Sequence, residues 1–215
     1  MAFPGWSSQA VEFYEGLEKD NSKAYWQAHR SVYEERVRGP MEELLTALTP
    51  QFGEGRIFRP YRDVRFSVDK SPYKTAIGAT LAGGGYVQFS ADGLGVACGM
   101  YQMASDQLDR YRSAVADDVS GAALVRLTDA LRGRDAEITA HDAVRTAPRG
   151  YTKDHPRIEL LRLKGLVAWK TWPPETAAQP SVPQLVAEFL RDCAPMQRWL
   201  DKYVGASRLP ADRRR

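Results

Sequence analysis

Between residues 52 and 56 the spacing of apolar side chains in this chain changes from a period near 3.6 to a period of 2, and beyond residue 101 it changes back. A helical block, a strand block and a second helical block, in that order, predict an α+β fold. Ser7 or Ser8 can cap a first helix with Ala10, Phe13, Tyr14 and Leu17 on one stripe. Asp20-Asn21-Ser22 ends it and caps a second, which carries Tyr25, Trp26, Val32, Tyr33 and Val37. Gly39-Pro40 opens a third with Met41, Leu44, Leu45, Leu48 and Phe52. Inside the strand block, residues 56–59, 63–67, 75–81, 86–89 and 95–100 read as short strands. Gly83-Gly84-Gly85 and Ala91-Asp92-Gly93 supply the positive φ angles of tight hairpins, so the strands form a meander and not crossovers.

Helical spacing returns over 105–131 (Leu108, Tyr111, Val115, Ala123, Leu127, Leu131) and stops at Gly133. A short helix starts near Pro156, capped by Asp154 or His155, and ends at Gly165; a later strand covers 166–169. Residues 172–180 read as loop. Ser181-Val182-Pro183-Gln184 is a capping box for a last helix that Pro195 should kink or split. The expectation is a mainly antiparallel sheet, about residues 56–101 plus the later strand, packed against N-terminal, middle and C-terminal helices. One domain over 1–205 and a flexible basic tail over 206–215 complete it.

A chain of 215 residues buries roughly 70% of its unfolded surface, so a full hydrophobic core is available. With 43% hydrophobic and 27% charged residues, the composition excludes wholesale disorder and a disulfide-stapled scaffold. No apolar run reaches the roughly 20 residues of a membrane span, and Met1 to Trp6 holds no secretory pattern, so a cytoplasmic protein without membrane association is expected. Cys98 and Cys193 lack the spacing of a zinc site and are expected to be buried thiols.

The chemistry concentrates in one stretch. Between Arg56 and Lys74 lie six cations against Asp63 and Asp69, a net +4 in a chain whose total is +3. Such a cluster points to an anionic partner, because its local field concentrates phosphates and carboxylates. If 63–67 is a strand, Arg65 and Ser67 share a face, and Ser71-Pro72 turns the chain so that Lys74 reaches the same corner. A guanidinium fork, an ammonium, a hydroxyl and turn amides suit a phosphate or carboxylate, with Asp69 orienting Lys70 or Arg65. The competing reading is an internal network in which Asp63 and Asp69 neutralise Arg65 and Lys70. A charge cluster names neither a nucleophile nor a base, so no reaction is assigned.

None of His29, His141 and His155 sits at helical metal-pair spacing, and no metal is expected. His155, beside Arg149, Lys153, Arg157, Arg162 and Lys164, is kept as a candidate ligand-binding or acid–base group. Gly93-x-Gly95 with Gly99 lies between strands, not at a strand-to-helix turn, and there is no Walker loop, so no cofactor is expected. Tyr61, Tyr73 and Tyr86 offer stacking faces for bases, against the commoner reading that tyrosines on a sheet simply pack.

The run 65–74 followed by the 86–101 hairpins resembles a bacterial and fungal family known as domain of unknown function 2461. So do residues 3–17 with Asn21, Trp26 and Tyr33, Gly99-x-Tyr101, Pro148-Arg149-Gly150-Tyr151, Asp154-His155-Pro156 and Leu160-Leu161-Arg162. The resemblance covers about 3–203 and implies a single α+β domain; it carries no substrate, cofactor or catalytic residue. Three functions follow as expectations. The first is an anionic small molecule held at Arg65, Ser67, Asp69, Lys70 and Lys74, with His155 as a further candidate. The second is a nucleic-acid surface joining 56–74 to 149–164. The third is a protein scaffold without a small ligand. The oligomeric state has no signal here.

Overall fold

The computed structural model describes residues 3–65 and 67–210. Helix α1 (Ser8–Lys19) starts after an extended Ser7 and buries Ala10, Phe13, Tyr14 and Leu17, the stripe its sequence predicts. The Ser22 hydroxyl accepts from Tyr25 N at 3.1 Å and so caps α2 (Lys23–Ala28), whose Trp26 is buried. The chain then passes through α3 (Arg30–Val32) and a π-helical turn (Tyr33–Arg38) into α4 (Gly39–Phe52), with Pro40 in its first turn. The wider π turn buries both Tyr33 and Val37. Strands β1 (Gly55–Ile57), β2 (Ala76–Leu81), β3 (Tyr86–Ser90) and β4 (Gly93–Met100) follow. Then come α5 (Ser105–Ala116), α6 (Asp118–Arg132), β5 (Glu137–Thr139), α7 (Ile158–Arg162), β6 (Leu166–Trp172), α8 (Pro174–Ala177) and α9 (Val182–Tyr203). The six strands form one antiparallel sheet in the order β1-β2-β3-β4-β6-β5, so the fold is α+β. None of the described helices is long and apolar enough to cross a membrane.

The chain divides into two compact units, Met1–Val96 with Thr171–Phe189, and Ala97–Lys170 with Leu190–Arg215. In the first, β2 and β3 pair antiparallel with Gly78 opposite Gln88 and Thr80 opposite Tyr86. Strict alternation turns Ile77, Ala79, Leu81, Val87 and Phe89 to the core. Phe89 stacks on Trp6 at 4.7 Å with the rings nearly parallel, and the Trp6 indole donates to Val37 O at 3.1 Å. The N-terminal segment, the helices and the sheet thus meet on one aromatic pair. The opposite face, with Ala76, Gly78, Tyr86 and Gln88, is left free of this core.

In the second unit, Asp117 decides the helical layout. Its extended backbone divides the helical stretch 105–131 into α5 and α6, and its carboxylate accepts from Val119 N and Ser120 N to cap α6. The Trp199 indole donates to Ser120 O, the Tyr111 hydroxyl donates to Leu160 O, and Arg157 donates to Val115 O and Ala116 O at the end of α5. Cys98 and Cys193 are both buried free thiols. Asp106 accepts from Arg208 N and the Ser207 hydroxyl, so the first residues past 205 are hydrogen-bonded to α5; 211–215 of the basic tail lie outside the described residues.

Several expectations are corrected. Residues 63–65 and 67 form no strand, because the Asp63 carboxylate accepts from the Arg65 amide two residues on and turns the chain; Phe66 lies outside the described residues. Pro195 does not split α9, which runs through it with Val186, Leu190, Cys193, Met196 and Leu200 buried along its length. That burial outweighs the roughly 3 kcal/mol a proline costs a helix interior. The expected loop over 172–180 contains α8, and the three-residue β5 was not anticipated. The short helix begins at Ile158, past both predicted caps, with Arg157 preceding it.

Candidate functional site

The basic stretch folds as a hairpin whose base is tightly held. Tyr61 and Tyr73 form an antiparallel bridge, Arg62 N donates to Pro72 O at 2.8 Å, and Lys74 N donates to Pro60 O at 2.8 Å. Asn21, in the turn between α1 and α2, grips Tyr73 twice: its amide nitrogen donates to Tyr73 O at 3.1 Å and its amide oxygen accepts from Tyr73 N at 3.0 Å. Trp26 lies flat on the Tyr73 ring at 4.3 Å, and Tyr61 leans on it at 5.4 Å. Tyr73 is therefore fixed from both sides, and with it the direction in which Lys74 leaves the backbone.

At the exposed tip the acids are used internally. Asp63 takes Arg65 in a two-pronged pair at 2.9 and 2.7 Å, and that guanidinium holds the Asp63 carboxyl down at about 2. Asp69 pairs with Arg62 and accepts from Ser71 N at 2.9 Å; Arg62 first, then Ser71, keep its carboxyl well below the usual range. Lys70 donates to Val64 O at 3.0 Å, and Ser67 N donates to the same carbonyl at 3.3 Å. The network has the character of the competing reading, with Arg62 and not Lys70 taking Asp69.

Lys74 is different. It lines a cavity of about 550 Å³, bordered by Arg62, Asp69 and Ser71 from the hairpin and floored by Ala76, Gly78, Tyr86 and Gln88 from the outward face of β2 and β3. Its ammonium lies 5.4 Å from the centre of the Phe58 ring and has no carboxylate partner among the described residues. Burial, and then the like charge of Arg59, push its pKa below the ordinary lysine value. Phe58 stacks against Tyr86 at 6.2 Å. The Tyr86 hydroxyl donates to Gln88 Oε1 at 2.9 Å, which leaves the Gln88 NH₂ group as a donor for the cavity. Gly78 leaves room for the Tyr86 side chain across the strand, since a Cβ there would stand 2.4 Å from the Tyr86 hydroxyl and displace it.

The model of a family described as conserved hypothetical protein (DUF2461) matches residues 9–199. The chain belongs to this family. Comparison with the curated proteins and with the solved structures found no match. The DUF2461 match spans Asn21, the hairpin, Lys74 and Gln88, so the cavity lies inside the shared region.

Of the candidate residues, Asp69 and Lys74 line the cavity of this DUF2461 protein; Arg65, Ser67 and Lys70 lie at the tip and do not. His155 belongs to the second unit, where its Nδ1 accepts from Arg157 N at 3.0 Å and its ring meets Tyr151 edge-on at 6.3 Å. There it caps a local turn. Within the 149–164 stretch, Arg157 is committed to backbone carbonyls, Arg162 pairs with Glu159 and Lys164 with Asp142. Among the described residues no three His, Cys, Asp or Glu side chains converge on a metal position. Sequence reasoning missed Phe58, Asn21, Gln88 and Glu18. The signal for Gln88 was present as the polar register of β3, where Tyr86, Gln88 and Ser90 alternate with the buried Val87 and Phe89.

Proposed function

We propose that the first unit binds a small molecule bearing a phosphate-like or carboxylate group, and that this group sits on Lys74 within the cavity and not at the hairpin tip. The observation that carries the reading is a half-buried ammonium without an acid partner among the described residues, in a cavity of about 550 Å³ that Gln88, with its donor NH₂, also lines. That volume lies within the range of roughly 300–1,000 Å³ typical of small-molecule sites. A partly desolvated cation next to a second cation gains more from an anion than a fully exposed one, because the screening that weakens surface pairs is reduced. The tip supports binding less well, since Asp63 and Asp69 already compensate Arg65 and Arg62. A charge cluster by itself assigns neither a nucleophile nor a base, and the proposal is recognition without an assigned reaction.

Calorimetric titration with propylphosphonate and with butyrate tests this. Binding of either anion by the intact chain, weakened at least tenfold in Lys74→Met and unchanged in Arg65→Ala, is the expected result. Equal affinity for Lys74→Met and the parent would reject the site. Binding of long DNA with a steep salt dependence, and of neither anion, would instead favour a nucleic-acid surface.

A further inference from the structure

The cavity that holds Lys74 also holds a carboxylate. Glu18, next to last in α1, lines it. Among the described residues Glu18 makes no ion pair, with Lys74 or with any other cation. An acid in the last turn of a helix lies near the negative end of the backbone dipole, so a cation that pairs with it there is favoured. Four ionised side chains line the cavity, Glu18, Arg62, Asp69 and Lys74. The Arg62–Asp69 pair cancels, which leaves one cation and one anion that do not meet each other. A lining of this kind is electrically neutral overall, and a bare polyanion would still gain at Lys74 but give back part of that gain against Glu18 and Asp69. A molecule with its own separated charges gains at both ends.

We infer that the ligand is a small zwitterion, with an anionic group on Lys74 and the Gln88 NH₂ and an amine that pairs with Glu18. The inference rests on the binding reading above and narrows it to one chemical class, ω-amino acids and aminoalkyl phosphonates or phosphates. Phe58 and Tyr86, stacked at 6.2 Å, give the cavity an apolar wall on which a short alkyl chain can lie. Specificity then comes from the amine as much as from the anion, because Glu18 penalises any ligand that brings negative charge alone.

The test uses matched probes that differ only in the ammonium: 3-aminopropylphosphonate against propylphosphonate, and γ-aminobutyrate against butyrate. On the intact chain the amino compound of each pair is expected to bind at least tenfold tighter. In Glu18→Gln, an exposed position whose folding is checked by circular dichroism, that advantage disappears while the plain anion binds as well as before or better. Amino compounds that bind no tighter than their plain partners, or an advantage that survives Glu18→Gln, would overturn the inference and leave anion binding at Lys74 standing. If no probe binds at all, both readings fall.

Discussion

Replacing Asn21 by alanine removes two hydrogen bonds from one residue, the amide and the carbonyl of Tyr73. Each is worth about 1 kcal/mol net, and each backbone group left without a partner costs about 1–3 kcal/mol if water cannot reach it. Tyr73 is only 5% exposed, but its surroundings open to the cavity, so partial hydration holds the total to about 2–4 kcal/mol. For a chain of this length each kcal/mol lowers Tm by about 2–4 °C, which gives a fall of roughly 5–15 °C. That is a large share of a stability of about 5–15 kcal/mol, yet small enough for the variant to fold. Urea titration measures the loss, and amide hydrogen exchange shows where it lies: protection of the Tyr73 amide should collapse, while the protection of β3 falls only by the global amount. Asn21→Asp keeps the acceptor and loses the donor, and should lose about half as much stability as Asn21→Ala. A loss under about 0.5 kcal/mol in Asn21→Ala, or an unchanged Tyr73 amide, would refute the clamp and with it the argument that Asn21 aims Lys74.

Other outcomes follow from the same structure. Phe89→Ala removes a fully buried ring stacked on Trp6 and should cost about 3–5 kcal/mol in chemical denaturation; a cost below about 1 kcal/mol would show that this pair does not hold the core. Gly93→Ala places a Cβ 2.2 Å from Trp172 O at a φ of +111°, so reduced Tm or failure to fold is expected, against no change if the backbone can relax. Asp106, hydrogen-bonded by Arg208 N and then by Ser207 and Arg110, is depressed well below the ordinary carboxylate value, as Asp63 and Asp69 are by Arg65 and Arg62. Depressed carboxyls stabilise fully above the unfolded value near 3.9 and lose that contribution as pH falls through their folded values. Stability should therefore hold from pH 7 to about pH 5 and decline from about pH 4 to pH 2, less steeply in Asp106→Asn; an identical acid profile for the variant would contradict this. Anion affinity should fall as pH rises through the lowered pKa of Lys74, with a midpoint below the ordinary lysine value of about 10.4; a profile flat to pH 11 would remove Lys74 from the site.

How far the sequence could be read depended on how much each element owes to local pattern. Helices α1 and α4 were legible because their apolar stripes are long and the residues that bury them are the stripe itself. Residues 63–67 misled because alternating polar and apolar residues look the same whether the backbone is pleated or an aspartate folds it onto its own amide. At three residues, β5 carries no period at all and exists through its pairing with β6, Ile138 opposite Ala168. The interruption at Asp117 was readable in principle as an N-cap, but the apolar spacing on both sides continues almost in phase. For the site, the run of cations located the hairpin, yet composition could not say which charges are compensated. That depends on pairings two residues apart for Arg65 and Asp63, seven apart for Arg62 and Asp69, and on Glu18 and Gln88 arriving from other elements.

The most direct test of the account is a crystal structure of the full chain grown from phosphate. It predicts a phosphate in the cavity with an oxygen about 3 Å from Lys74 Nζ and another within hydrogen-bond reach of the Gln88 amide nitrogen. A cavity filled only with water, with phosphate bound instead at Arg65 and Lys70 on the hairpin tip, would contradict it.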